Sequence, residues 1–496
     1  HIKAVLYAFF IVLFSFCAIF ALKRYDLFPV CWYLSLLPAI LMTGYVVWYE
    51  KKQRQTHIAF GLIFFLCGLF YLFSVPMLQV SDETVHYLRC YEIAVGQSPI
   101  TVSDNSIGDL LPANLIPDQF SDPAHTNYAQ LADALDEVID RNHLQEYAFT
   151  GAALYSPFTY LPQVLGIFFA NLVTDHALIL MYAGRLSTLL VVTVLVAMAI
   201  KLFPFSKQLP ILLLLIPIYV HKTGSMSADG FTLAIIILFL SYILHLQYTT
   251  TGVLTARQIS IIYLLIFFLS QCKIVYLPVC LFFFVLSPNR FGTMRRYVIH
   301  LTALVAVALI SGLGWLLISS SYLSIGYSTS AEQIRSILTD PVNYVCILVN
   351  TFIKQGPVLV GQMMGLGMGV GGVRNSRLLT YGYLFVLLLS AVFSRRGKHD
   401  IQQTRDIWLS LLSAAGVIIL TCTALYIQWT PPNESEIWGL QGRYFIPVLF
   451  FFCIALMQIT SLERIRKPIS ESFTLLFAFG VNLVAAVSCL AYGITL

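Results

Sequence analysis

"VPMLQVSDETVHYLRCYEIA", residues 75–94, is the stretch on which the reading of this chain turns. An apolar run closes at its start, and Asp82, Glu83, His86, Arg89 and Glu92 follow at once. Charge of any kind is scarce in this chain. Of its 496 residues 58% are hydrophobic and 11% charged, where a soluble domain carries about 25% charged residues. Apolar runs of about 20 residues recur along most of the length, each able to cross a bilayer as a helix. The pattern predicts an all-α fold, a polytopic transmembrane helical bundle. A transmembrane β-barrel would alternate in short segments instead.

The net charge of +5 does not point to nucleic acid, because the basic residues sit in short clusters between apolar runs. The clusters are Lys51-Lys52-Gln53-Arg54, Lys201 to Lys207, Arg290 to Arg296, Arg395-Arg396-Gly397-Lys398 and Arg464 to Lys467. Placing all five on the cytoplasmic side predicts about 13 spans. They run roughly over 4–22, 28–48, 57–78, 178–200, 209–222, 227–247, 258–271, 275–289, 296–318, 378–394, 406–428, 443–460 and 472–492. The first run is followed by Lys23-Arg24 and lacks a small-residue cleavage site, so it reads as a retained helix. Residues 151–173 are apolar enough to span, but a crossing there would turn every later basic cluster outward. They are therefore expected to form an interfacial or re-entrant element on the outer side, broken by Pro157 and Pro162. The ten cysteines are scattered without a CxxC pair, which speaks against a zinc site or a disulfide framework.

This map divides the chain into two extra N-terminal helices (1–56), a core with a large outer loop (57–320, loop 79–150), an outer or re-entrant Gly-rich segment (321–377) and C-terminal helices with an outer loop at 430–445 (378–496). The loop 79–150 holds twelve of the twenty-four Asp and Glu residues, with short helices expected in it, for instance over 128–146. The candidate chemistry collects on this outer face. In "SDETVHYLRCYE" Ser81 or Asp82 can cap a helix and Glu83 suits its positive end. Capping does not account for His86 and Arg89, which share a helix face with Asp82. A metal held by Asp82 and His86 is a weaker alternative, with no further His or Cys cluster to support it. "HKTGSMSADGF", 221–231, offers Lys222 and Asp229 near a helix end, either as site residues or as a snorkelling lysine and a cap. "SQCKIVYLP", 270–278, places Lys273 and Tyr276 between two short apolar runs, with the lysine at the bottom of a dip where it can bind phosphate. "WGLQGRYFIP", 438–447, puts Gln441, Arg443 and Tyr444 before a span on the outer side. The guanidinium there needs either a phosphate or Glu434 or Glu436. Arg185, in "YAGRLSTLL", has a similar claim. "GQMMGLGMGVGG", 361–372, has no Walker spacing and reads as a closely packed or flexible segment.

With these residues in view the chain resembles the GT-C superfamily of membrane glycosyltransferases, and within it a bacterial membrane-protein family of unassigned function. The stretches that carry the resemblance are "SDETVHYLRCYEIAVGQ", "YSPFTYLPQVLG", "GRLSTLL", "SADGFTLA", "CKIVYLP" and "QGRYFIP", in order from about residue 75 to 450. The acidic pair in the first large outer loop of that superfamily corresponds to Asp82-Glu83. The resemblance implies transfer of a sugar from a polyprenyl-phosphate donor to an extracytoplasmic acceptor, a cell-surface glycan or teichoic-acid-like polymer, at the bacterial plasma membrane. It implies that an acidic residue activates the acceptor, and that Lys273 and Arg443 hold the carrier phosphate. It implies no cofactor, with magnesium or manganese as the alternative. Two extra spans before the acidic pair depart from the relatives, and the lack of a large soluble C-terminal domain and of a WWD-type motif argues against an oligosaccharyltransferase. Asp82 is the first choice as base and Glu83 the second; His86, Arg89, Arg185, Lys222, Asp229, Tyr276, Gln441 and Tyr444 are expected around the substrate. The rival reading is a transporter or flippase for a lipid-linked or anionic solute, with broken spans such as 258–289 in its favour.

Overall fold

The computed structural model describes residues 31–52, 55–103, 106–120, 122, 126–326, 330–370, 372–394, 403–457 and 469–495. The expected span 4–22, the basic clusters at 395–398 and 464–467 and part of the 51–54 cluster lie outside the described residues.

In chain order the helices are α1 (Cys31–Lys52), α2 (Thr56–Ser74), α3 (Glu83–Ala94), α4 (Tyr128–Asp133), α5 (Thr150–Ala153), α6 (Leu161–Asn171), α7 (Ala177–Leu202), α8 (Gln208–Leu214), α9 (Pro217–Thr223), α10 (Ala228–Tyr248) and α11 (Ala256–Cys272). After a 3₁₀ segment, Ile274–Val285, come α12 (Met294–Gly326), α13 (Ser330–Thr339), α14 (Pro341–Met363), α15 (Arg377–Phe393), α16 (Gln403–Trp429), α17 (Ile446–Met457) and α18 (Glu471–Thr495). Among the described residues seven helices are long and apolar enough to cross a membrane: α2, α7, α10, α12, α14, α16 and α18. Four shorter apolar segments accompany them: α11, Ile274–Val285, α15 and Gly442–Met457. This is an all-α, multi-pass membrane protein.

The buried axis of the bundle is α10, which runs between two charged zones. Its 21 residues span about 32 Å at 1.5 Å per residue, close to a hydrocarbon core of about 30 Å. At its C-terminal end lie the basic clusters. Arg290 donates to the carbonyl of Leu246 at 2.7 Å, Lys207 to that of Ile200 at 2.7 Å and Arg405 to that of Val285 at 2.5 Å. Asp229 opens the other end. The cap there is Ser227, whose hydroxyl accepts the Asp229 amide at 3.3 Å, so the Asp229 carboxylate is free for other partners. At the start of α11, Thr255 and Gln258 form a reciprocal capping box.

Four elements differ from the expectations. Residues 128–146 are not one helix: α4 ends at Asp133, and Asp140–Ala148 is strand β3 of an antiparallel sheet with β1 (Ile100–Val102) and β2 (Ser106–Ala113). β2 carries Gly108 and Pro112 and cannot be helical. Its backbone groups need partners, and β3 supplies them over Gly108–Ala113. The span expected at 209–222 is broken into α8 and α9, because Pro217 at the start of α9 has no N–H with which to continue α8. The span expected at 275–289 is a 12-residue 3₁₀ segment. Its rise of about 2.0 Å per residue stretches it to roughly 24 Å, as deep as the 17-residue α11 at about 26 Å. Lys273 sits at the turn between the two.

The fourth difference is α14, inside the segment read as outer or re-entrant. Its side chains reach the same end of the bundle along its whole length. Tyr344 meets Thr423 at 2.7 Å, Asn350 donates to the Ser435 carbonyl at 2.7 Å, Gln355 to that of Ile437 at 3.0 Å, and Gln362 accepts the Gly442 amide at 3.0 Å. Residues 151–173 are likewise in pieces: α5, a 3₁₀ turn at Pro157–Tyr160, and α6, whose 11 residues cover about 16 Å against α7.

Candidate functional site

The residues between α2 and α3 carry the site, and they are tied down almost one by one. Glu83, the first residue of α3, is fully buried and grips Arg185 of α7 with both oxygens, at 2.9 and 2.7 Å. It also accepts the Met226 amide at 2.8 Å. The remaining donors of Arg185 go to the carbonyls of Leu72, Val75 and Pro76 at 3.0–3.3 Å. Lys222 donates to the Ser81 carbonyl at 2.8 Å. Leu78 and Asp82 adopt left-handed backbone, φ 63° and 68°, uncommon for any residue but glycine. Asp82 occupies the N-cap position of α3 without using its side chain as the cap. The two neighbouring carboxylates have thus parted company: Glu83 turns inward to Arg185, and Asp82 turns out, about half exposed.

What Asp82 meets is a chain of opposite charges. Arg443 contacts Asp82 at 2.8 Å and Asp229 at 2.8 Å, and Lys273 contacts the other oxygen of Asp229 at 2.6 Å. Lys273 also lies 5.0 Å from the ring centre of Tyr155 and 5.1 Å from that of Tyr444; Arg443 lies 5.2 Å from the latter. Tyr276 donates to the Tyr444 carbonyl at 3.2 Å. Lys222 shares a small pocket with Asp229, Tyr276 and Arg443. Two cations, Lys273 and Arg443, therefore face two carboxylates, Asp82 and Asp229, and balance them, with Lys222 behind them in the small pocket. Burial works to raise the Asp82 carboxyl, but Arg443 and Lys222 outweigh it and hold it below the usual carboxylate value.

Asp82, Asp229, Lys273 and Arg443 form the polar end of a cavity of about 580 Å³, a size common among small-molecule sites. Asp82, His86, Asp229, Lys273, Tyr276, Gln441, Arg443 and Tyr444 all line it. Its other walls are Trp315 and Leu316 of α12 and Thr421, Leu425, Gln428 and Trp429 of α16. Those two helices bound the cavity without packing closely on each other, and Leu316 and Trp429 are 41% and 55% exposed. The cavity thus opens sideways between apolar helices. His86 approaches the Tyr160 hydroxyl at 2.7 Å; burial pushes its imidazole down to about 3, against the pull of Asp82 and Asp229, so the ring is neutral at pH 7.

Four expected residues do not line this cavity, Lys222 among them, which faces the small pocket beside Arg443. Glu83 and Arg185 are spent on each other. Arg89 points toward the β1–β3 sheet and pairs with Glu92, both buried, because one helical turn beyond His86 the α3 face meets β2 and α6 and not the cavity. Tyr155, Gln271 and the two tryptophans were missed. Tyr155 stands in the quoted "YSPFTYLPQ", but nothing local marks it, since its role arises from packing beside Lys273. Among the described residues no three His, Cys, Asp or Glu side chains gather as a metal site would require.

No curated protein and no solved structure matches the chain. A family model described as "Predicted membrane protein (DUF2142)" matches residues 64–452, which takes in every cavity residue named above. The chain belongs to this DUF2142 family of predicted membrane proteins.

Proposed function

We propose that this protein is a GT-C-type membrane glycosyltransferase that moves a sugar from a polyprenyl-phosphate donor to a glycan acceptor on the outer face of a bacterial plasma membrane. The observation that carries the reading is the pair of cations, Lys273 and Arg443, at the polar end of a cavity that opens sideways between apolar helices. A phosphate head group can compete with Asp82 and Asp229 for these two cations, and an isoprenoid tail matches the opening. The positive-inside rule supports the outer side, since the Lys201–Lys207 and Arg290–Arg296 clusters stand at the opposite end of α10. About thirteen spans follow if the undescribed N-terminal run crosses.

In this reading Asp82 is the base. Arg443 is shared between Asp82 and Asp229, and an arriving donor phosphate competes for it. Losing that partner frees Asp82 and raises its basicity. Asp82 then takes the proton of the acceptor hydroxyl as its oxygen bonds to the anomeric carbon. The bond from that carbon to the phosphate oxygen breaks, and the extra negative charge passes to the departing polyprenyl phosphate. Lys273 and Arg443 stabilise that charge; removing one such group costs about 3 kcal/mol of transition-state stabilisation. In-line attack inverts the sugar. Glu83 has no chemical part and anchors the turn.

The test is reconstitution in liposomes with a radiolabelled polyprenyl-phosphate sugar and extracted cell-surface glycan. A new glycosidic product is expected. Movement of intact labelled lipid across the bilayer without a product would replace this reading with lipid transport, which the same sideways opening would serve.

A further inference from the structure

The turn that carries Asp82 is held on a side which the proposed chemistry does not touch. The Gly-rich stretch forms a hairpin, β4 (Gly367–Met368) paired with β5 (Val373–Arg374), and its turn rests on Gln79. The Val370 amide donates to the Gln79 carbonyl at 2.6 Å. The Gln79 side chain in turn donates to the Thr126 carbonyl at 2.5 Å, which ties the same residue to the outer domain.

Two glycines of this hairpin make the contact testable. Gly369 and Gly372 have the same backbone demand, φ 72° and 71°. They differ in their surroundings. A Cβ on Gly369 would stand 3.0 Å from the Gln79 carbonyl oxygen, whereas a Cβ on Gly372 would meet nothing within 4 Å. Gln79 itself follows Leu78 and lies three residues before Asp82, the two left-handed residues of the turn. For a bulky buried side chain such as Leu78 that conformation is a genuine outlier. It persists only where the surroundings over-determine it. Lys222 and Arg443, which also hold the turn, belong to the site and are drawn on by a bound phosphate. The hairpin contact does not depend on the ligand.

We propose that Gly369 is a positioning residue: by letting the Val370 amide close on Gln79, it fixes the backbone from Leu78 to Asp82 and so aims the Asp82 carboxylate into the cavity. The consequence for turnover rests on the reading of Asp82 as the base; the strap itself does not.

The experiment compares wild type, Gly369→Ala and Gly372→Ala in the full-length protein, by amide hydrogen exchange and by turnover with the polyprenyl-phosphate sugar. The Val370 amide of the wild type is expected to be protected, although it lies in a glycine-rich turn. Gly369→Ala is expected to speed exchange over residues 79–86 and to lower kcat roughly tenfold, the scale of loss that a sub-ångström misplacement brings. The KM for the donor should stay within about twofold. Gly372→Ala, with the same strain but no clash, should leave exchange and kcat within about twofold of wild type. Equal exchange over 79–86 in the two variants overturns the proposal, as does faster exchange in Gly369→Ala with unchanged kcat. An unprotected Val370 amide in the wild type overturns it too, with no need for any variant to fold. The expected exchange pattern in a protein that transfers no sugar upholds the strap and removes the base assignment instead.

Discussion

At the scale of single residues, Asp82 and Glu83 are adjacent and chemically alike, yet the structure predicts opposite failures for them. Glu83→Gln leaves Arg185 buried with an unbalanced charge, and breaking such a pair costs about 3–5 kcal/mol. The variant should be recovered poorly and melt early in detergent, whatever its activity. Asp82→Asn touches a half-exposed carboxylate and should fold normally, still bind the carrier lipid, and lose roughly 10²–10⁴-fold in transfer. A well-folded Asp82→Asn protein with full turnover would exclude Asp82 as the base. The same residue predicts a pH signature. In the free protein Arg443 and Lys222 hold the Asp82 carboxyl below its ordinary value, so it stays ionised into mild acid. If a donor phosphate takes Arg443, as proposed, the carboxyl titrates higher. The acid limb of kcat, which reports the complex, should therefore fall at higher pH than that of kcat/KM, which reports the free enzyme. Coincident limbs would mean that the phosphate does not displace Arg443.

At the scale of elements, α3 carries a second group of charges away from the cavity. Arg89 and Glu92 are buried together, with Asp109 of β2 close enough to act on Glu92. One oxygen of Glu92, one of Asp109 and the Nε of Arg89 have no hydrogen-bond partner among the described residues. Burial lifts Glu92 from its ordinary 4.5 to about 7, although Arg89 pulls it down. Between these values the folded protein binds more protons than the unfolded chain. The stability contributed by Glu92 is thus complete below about pH 4.5 and lost as the pH rises through about 7. The melting temperature should drop by a few degrees between pH 5 and pH 8, and Glu92→Gln should flatten that drop; an equal slope in both proteins would place the titration elsewhere. Sequence could not have found this group. Arg89 sits at helical spacing from Asp82 and His86, and the spacing alone pointed it at the cavity. Its true partner is set by how the outer sheet packs on α3. The membrane helices were legible because each apolar run announces itself. Lys273, Asp229 and Arg443 were legible because a charge at the end of such a run has few innocent explanations. The strand at 140–148 and the break at Pro217 were not, since pairing to β2 and the fate of one missing N–H are decided between elements.

At the scale of the whole molecule, the question is which helices cross the membrane, and α14 decides it. Its length and composition suit a span, and a crossing there would set α15 to α18 in the opposite sense. We propose that it lies in the membrane plane instead, on three observations. Its hydrogen bonds run from Thr423 through Ser435 and Ile437 to Gly442, all at the cavity end of the bundle. Val342, Val345, Val349 and Ile353 form one exposed apolar stripe at helical spacing, while Asn350 and Gln355 face the protein. That division between an apolar outer face and a polar inner one is how an interfacial helix lies at a bilayer surface. α13 before it repeats the pattern, with Ile334 and Leu338 exposed and Gln333 bonded to the Thr430 carbonyl at 2.6 Å. Single cysteines at Asp340, Arg374 and Arg295, in a background where the exposed Cys346 is serine, test the arrangement in intact cells with a membrane-impermeant maleimide. The cysteines at 340 and 374 should both react from outside, and the one at 295 only after the membrane is opened. Labelling of 340 and 374 from opposite sides would make α14 a crossing helix. It would also set the Lys201–Lys207 cluster and the helices after α14 at odds over which face holds the cavity.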